Sequence, residues 1–189
     1  DEMRFERGAT RWSMSVQAAC EGSHVRGAQA VITTSRYAAN RLRELYGIDK
    51  PVALVPELID LAGWRALFEA HAAPARPDRF TVLSVCRFYP RKRLDLLLEA
   101  AVILRERVPG IELRIVGGGP EQPRLMRLWH DKRLETTVTW LGDLSQPALA
   151  AEYMRSDVFC LPSVQEGFGI VFLEAMAAGK PIVAARAAA

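Results

Sequence analysis

The 189 residues are 50% hydrophobic and 25% charged, enough apolar content to bury a real core and too little charge bias for a disordered chain. The 25 basic side chains nearly match the 22 acidic ones, and a net charge of +3 is too mild to argue for a nucleic-acid partner, so none is expected. Cys20, Cys86 and Cys160 are odd in number and widely separated, which excludes a disulfide framework and fits a reducing, cytoplasmic setting.

In chain order, Trp12 to about Arg26 reads as loosely helical and Ala30–Thr34 as a short buried strand. Ser35 is a good N-cap for an amphipathic helix through Tyr37, Leu42 and Leu45, which Gly47 should end as its C-terminal cap. Val52–Val55 is a second short strand, Leu61–His71 looks like one connecting helix, and Ala72–Asp78 is a proline-rich linker at a domain boundary. From Arg79 the order becomes regular. Strands are expected at Thr81–Val85, Ile111–Val116, Val138–Leu141, Val158–Leu161 and Pro181–Ala184, and helices at Leu94–Arg107, Pro123–His130, Pro147–Met154 and Ile170–Ala178. Strands and helices alternating at this spacing imply an α/β fold with a parallel sheet covered on both faces, and such sheets bind ligands at the carboxyl ends of their strands.

Several stretches bear on chemistry. Glu166 and Glu174 lie eight positions apart, separated by a glycine turn and an apolar segment, Ile170–Leu173 and Ala175–Ala178, that should be buried on most sides. Glu174 therefore needs a partner, either a protein cation or the hydroxyls of a ligand, because a buried carboxylate is costly when unpaired. Arg87 and Lys92, five apart after the Thr81–Val85 strand, can close two cations on a diphosphate, although a charge run of this kind also suits a solvated loop. Gly117-Gly118-Gly119-Pro120 either brings backbone N–H groups to an anion or simply makes a turn; it is not a dinucleotide fingerprint, and Ala178-Gly179-Lys180-Pro181 is not a P-loop. No Asp-x-Asp pair occurs and the three histidines are scattered, so no metal site is expected.

Taken together and in this order, the Arg87/Lys92 pair, Gly117–Pro120, Ala30–Ser35 and the Glu166/Glu174 spacing resemble a retaining glycosyltransferase of family 4. The resemblance runs from about Ala28 to the last residue. It implies the GT-B architecture, two Rossmann-like domains facing each other across a cleft, with residues 1–55 as the end of the acceptor-side domain, 56–79 as the connection and 80–189 as an incomplete donor-binding domain. The opening at Asp1 and the three closing alanines likewise suggest a piece of a longer protein. By resemblance, Arg87 and Lys92 hold the donor's diphosphate and Glu166 contacts the donor sugar, the three together being the catalytic set. Phe168, Gly169, Ile170 and Val171 form the turn that reaches sugar and phosphate, Glu174 accepts from the ribose hydroxyls, and Gly142 and Asp143 lie where the base is read.

Cys86 and Arg93 stand where the family commonly has glycine, and Pro56–Asp60 departs from its usual Pro-Asn-Gly turn. The implied activity is metal-independent sugar transfer from a nucleoside diphosphate sugar with retention and with no cofactor besides that donor. The acceptor is unassigned: a saccharide, a lipid-linked saccharide or a small molecule. This chain by itself is expected to bind nucleotide weakly and to transfer nothing. A nucleotide-sugar epimerase of the same architecture and a non-catalytic nucleotide-binding domain remain the alternatives. No transmembrane run or signal peptide is found, and peripheral association with the inner face of a membrane stays open.

Overall fold

Ser35 caps its helix as its short hydroxyl suggests: the backbone is extended there and the side chain accepts from the Ala38 N–H at 3.1 Å. A computed structural model describes residues 9–71 and 79–186. Its first elements are α1 (Ala9–Gly27), β1 (Val31–Thr33), α2 (Arg36–Tyr46) and β2 (Val52–Leu54). Strands β1 and β2 pair in parallel, Val31 against Val52, so β1, α2 and β2 form one βαβ unit. Gly47 ends α2 at φ 61°, the left-handed position that a side chain would resist.

The chain divides into two compact units. One runs up to Leu58 and includes Gln165–Gly169; the other runs from Ile59 to Val164 and resumes at Ile170. The second contains α3 (Leu61–Ala70), β3 (Thr81–Val85), α4 (Leu94–Arg107), β4 (Glu112–Val116), α5 (Gln122–Asp131), β5 (Val138–Gly142), α6 (Gln146–Arg155), β6 (Val158–Leu161), α7 (Ile170–Ala177) and β7 (Ile182–Ala184). Its five strands are all parallel, in the order β5-β4-β3-β6-β7. Helices α4 and α5 cover one face and α3, α6 and α7 the other, the layering expected of a parallel sheet. Leu83, Leu98, Ile115, Phe159 and Leu161 are fully buried at its centre.

Two expectations change here. Helix α3 is docked as well as connecting: Trp64 and Phe68 are buried and stack on each other at 5.3 Å, and Trp64 meets the Tyr153 ring edge-on at 5.8 Å. Their four-residue spacing puts both on one side of the helix, which is reason enough to dock it. The expected linker Ala72–Asp78 lies outside the described residues. Helix α7 is less enclosed than its composition suggests. Ala175 is buried and Phe172 packs edge-on against Phe159, but Met176 is 60% exposed and Ile170 is also exposed, because α3 and the sheet cover only one side.

Candidate functional site

Strands β3, β4 and β5 step outward in one direction, and β6 and β7 step outward in the other. The carboxyl edge between β3 and β6 is therefore the point at which strand order reverses, where open α/β sheets leave a crevice. The β3 loop carries Arg87 and Lys92 to this edge. Phe88 anchors it, buried at 1% exposure with its ring edge-on to Trp140 at 5.5 Å. The loop closes in a single 3-10 turn, Pro90–Lys92, that the sequence did not announce. Lys92 is only 8% exposed at the end of that turn, and Arg93 follows in the left-handed region at φ 53°. The Arg91 carbonyl accepts from the Val164 N–H at 2.9 Å and from the Ser163 hydroxyl at 3.2 Å, so the loops after β3 and β6 are fastened together across the reversal point.

Gly117–Gly119 fastens the other side. A Cβ on Gly117 would lie 2.0 Å from the Cys86 carbonyl oxygen, and one on Gly119 would lie 2.8 Å from the backbone of Phe88. The turn is glycine because the arginine loop passes directly against it. The Phe88 N–H donates to the Gly118 carbonyl at 3.0 Å, and the Gly117 N–H donates to the Gly142 carbonyl at 2.8 Å, tying in the end of β5 as well. This geometry favours loop seating over direct anion binding as the work of Gly117 and Gly119.

Of the residues singled out by sequence, Arg87 and Asp143 are brought together, with nitrogen and carboxylate 3.8 Å apart and side chains 63% and 75% exposed. A pair so exposed is weak, leaving Arg87 open to competition from a stronger anion. Gly142 is fixed by its bond from Gly117. Glu166, Phe168 and Gly169 lie on the link from β6 to α7, with Glu166 half-buried and Gly169 at φ 87° turning the chain into the helix. Ile170 and Val171 open α7.

Glu174 has a protein partner that sequence reasoning missed. The Tyr153 hydroxyl, from α6, donates to Glu174 Oε2 at 2.8 Å. Burial pushes the Glu174 carboxyl above the ordinary range, and the tyrosine bond offsets this only in part. The Tyr153 hydroxyl is pushed up in turn by its own burial and by the charge of Glu174. The one available signal was general: a tyrosine on a core-facing helix usually finds a partner for its hydroxyl. Among the described residues no three His, Cys, Asp or Glu side chains converge in a way that would hold a metal ion, and no helix is long and apolar enough to cross a membrane.

Residues 68–188 match the family model described as glycosyl transferases group 1. Over 169 residues the chain is 35% identical to a GDP-mannose-dependent alpha-(1-6)-phosphatidylinositol monomannoside mannosyltransferase of Mycobacterium tuberculosis, covering 84% of this chain and 44% of that protein. A D-inositol 3-phosphate glycosyltransferase of Pseudarthrobacter chlorophenolicus is 35% identical over 175 residues, covering 87% and 42%. The chain thus spans less than half the length of these curated relatives. Among solved structures, Anabaena HepE in complex with UDP-glucose superposes with a TM-score of 0.76 at 21% identity, over 92% of this chain and 49% of that one, a likeness of fold. With a parallel sheet of the GT-B type and a family match over residues 68–188, the chain belongs to the group 1 glycosyl transferases.

Proposed function

We propose that this chain supplies the donor-binding part of a retaining, metal-independent glycosyltransferase of family 4 that moves a hexose from a nucleoside diphosphate sugar to an acceptor hydroxyl. The observation that carries this reading is the lacing of the β3 and β6 loops at the strand-order reversal, which fixes the Arg87/Lys92 loop at the sheet's ligand-binding edge. The nucleotide sugars named for similar proteins agree with it: the mycobacterial mannosyltransferase is GDP-mannose-dependent, and the Anabaena protein is in complex with UDP-glucose.

In this mechanism Arg87 and Lys92 face the diphosphate. As the bond from the anomeric carbon to the β-phosphate oxygen breaks, its electron pair stays on that oxygen, and the two cations stabilise the growing charge. The acceptor hydroxyl attacks from the same face, which retains configuration, and its proton passes to the departing phosphate oxygen. Glu166 receives hydroxyls of the donor sugar, the backbone from Phe168 to Val171 lines sugar and phosphate, and Glu174 accepts from the ribose. Gly142 and Asp143 border the base. No metal is needed where two protein cations already meet the leaving group.

Arg87 is the residue to test, because its exposure makes substitution harmless to the fold. In the full-length protein Arg87→Ala is expected to slow transfer about 100-fold, corresponding to about 3 kcal/mol of lost transition-state stabilisation. It should weaken binding of nucleoside diphosphate while leaving the weak binding of the bare nucleoside unchanged. Equal affinity of wild type and variant for the diphosphate would overturn the reading.

A further inference from the structure

The ring of Tyr153 is fully buried. It meets Trp64 and Phe68 of α3 edge-on at 5.8 and 6.5 Å and Phe159 of β6 at 6.0 Å. Packed on three sides, the ring has no room to flip out, so its hydroxyl is delivered to one place. There it finds two acceptors, Glu174 Oε2 at 2.8 Å and the Val171 carbonyl at 3.3 Å, of which its single proton serves the nearer and more negative. Helix α6 is itself held down by the residue before: Glu152 takes both Nε and Nη2 of Arg114, from β4, at 2.6 and 2.8 Å. The hydroxyl thus stands on a fixed helix as well as on a fixed ring.

This is an unusual way to satisfy a partly buried carboxylate. Among the described residues Glu174 forms no ion pair, and a neutral hydroxyl engages one of its two oxygens. A lysine or arginine in the same place would satisfy the carboxylate more strongly and would cancel its charge. A neutral donor fixes the rotamer, leaves the negative charge intact and leaves Oε1 with its acceptor capacity. Such an arrangement serves a second donor that arrives from outside the protein.

We infer that Tyr153 is a positioning residue for nucleotide recognition, its hydroxyl holding Glu174 so that the other carboxylate oxygen receives the ribose hydroxyls and the site selects ribonucleotides over their deoxy forms. This rests on the assignment of Glu174 to the ribose made above. Tyr153 touches no substrate. Its effect passes entirely through the carboxylate.

The test is calorimetric titration of the full-length protein with UDP and GDP, each against its 2′,3′-dideoxy analogue. Wild type is expected to prefer the ribo form of its nucleotide at least about tenfold, the size of one hydrogen bond to a charged group. Tyr153→Phe removes only the oxygen and should cut that preference to about threefold or less, with affinity for the dideoxy form unchanged. A merely structural tyrosine would instead weaken both forms alike. In the Glu174→Ala background, adding Tyr153→Phe should change the preference no further, since the two act as one unit. Should Phe at position 153 prevent folding, Glu174→Asp keeps the charge but withdraws it from the hydroxyl by one methylene, and it too should lose the preference. A wild type that discriminates, with Tyr153→Phe or Glu174→Asp discriminating as strongly, overturns the role of Tyr153 alone. A wild type that binds ribo and dideoxy forms equally overturns the ribose assignment of Glu174 and the role of Tyr153 with it.

Discussion

Two neighbouring residues of α6 serve two carboxylate sites, one buried and one partly buried, that are built in opposite ways. Glu152 belongs to the first, in which the Arg114 guanidinium bonds Glu152 twice and Glu112 once at 2.7 Å, and Thr139 donates to Glu112 at 3.0 Å. Burial pushes Glu112 up, but the bond and charge of Arg114 outweigh it and hold the carboxyl below the ordinary range. Tyr153 belongs to the second, in which Glu174 has a neutral partner and stays above that range. One site is closed, its polar groups consumed by each other to fasten α6 to the sheet. The other keeps charge in reserve at the place where a nucleotide is proposed to bind. Complete internal pairing marks a structural site, and partial pairing by a weak donor marks one with a ligand still to come.

The sharpest way to break this contrast is to remove the cation from the closed site. Arg114→Met keeps much of the side chain's length but leaves Glu112 and Glu152 buried without their donor. A loss of about 3–5 kcal/mol is expected, read as a lower urea midpoint at unchanged slope. Glu174→Ala, which vacates the open site, should cost far less stability while abolishing the ribose preference. Similar losses from both would mean that the two sites are alike in kind.

A smaller effect distinguishes the sites by pH. Glu112 binds its proton less tightly in the folded chain than in the unfolded one, so its contribution is present above the ordinary carboxylate range and is lost as pH falls through the lowered value. Glu174 binds its proton more tightly when folded. Its contribution is full below about 4.5 and is lost as pH rises through the raised value. The protonated form is also satisfied: the acid can donate to the Tyr153 oxygen while the tyrosine proton turns to the Val171 carbonyl at 3.3 Å. Glu174→Gln should therefore match wild type in urea midpoint near pH 4 and exceed it at pH 7, the gap opening as pH rises. A gap opening toward acid would show that Glu174 is held down by an opposing charge.

What could be read from the chain divides along the same line. Element order was legible because it is local: Leu94–Arg107 and Val158–Leu161 are found where periodicity and β-branched content put them. The positions of Arg87 and Lys92 were legible because a loop after a parallel strand must emerge at the carboxyl edge. The partners were not. Glu152 and Arg114 are 38 residues apart, and Tyr153 and Glu174 are 21 apart, so only the tertiary fold joins them. A hint did exist at β4, where Glu112 and Arg114 share one face of a central strand that should be buried on both. Charges of opposite sign at such positions call for a buried pair. Trp64 and Phe68 gave a similar hint for α3, which the neighbouring prolines obscured. The reason for Gly117 and Gly119, a backbone passing from another loop, lies in no local pattern at all.

The smallest expected effect concerns strain in the β3 loop that carries Arg87 and Lys92. Arg93 sits at φ 53° and ψ 40°, where the family resemblance calls for glycine, and it immediately precedes α4. A non-glycine residue costs about 1 kcal/mol in this conformation, and a cation at a helix N-terminus opposes the dipole by a few tenths more. Against this, Arg93 Nε reaches Asp95 Oδ1 at 3.1 Å, a partly exposed pair worth about 0–1 kcal/mol, and glycine loses more chain entropy on folding. Asp95 keeps Arg124 at 3.5 Å when Arg93 is gone. Arg93→Gly should therefore raise stability by a few tenths up to about 1 kcal/mol, a shift resolved by urea midpoint. It should leave nucleotide affinity within about twofold if the turn is held by the Arg91 bonds to Ser163 and Val164 rather than by Arg93 itself. A large fall in affinity with no loss of stability would instead place the Arg93 charge among the groups that meet the diphosphate, one residue further along the loop than Lys92.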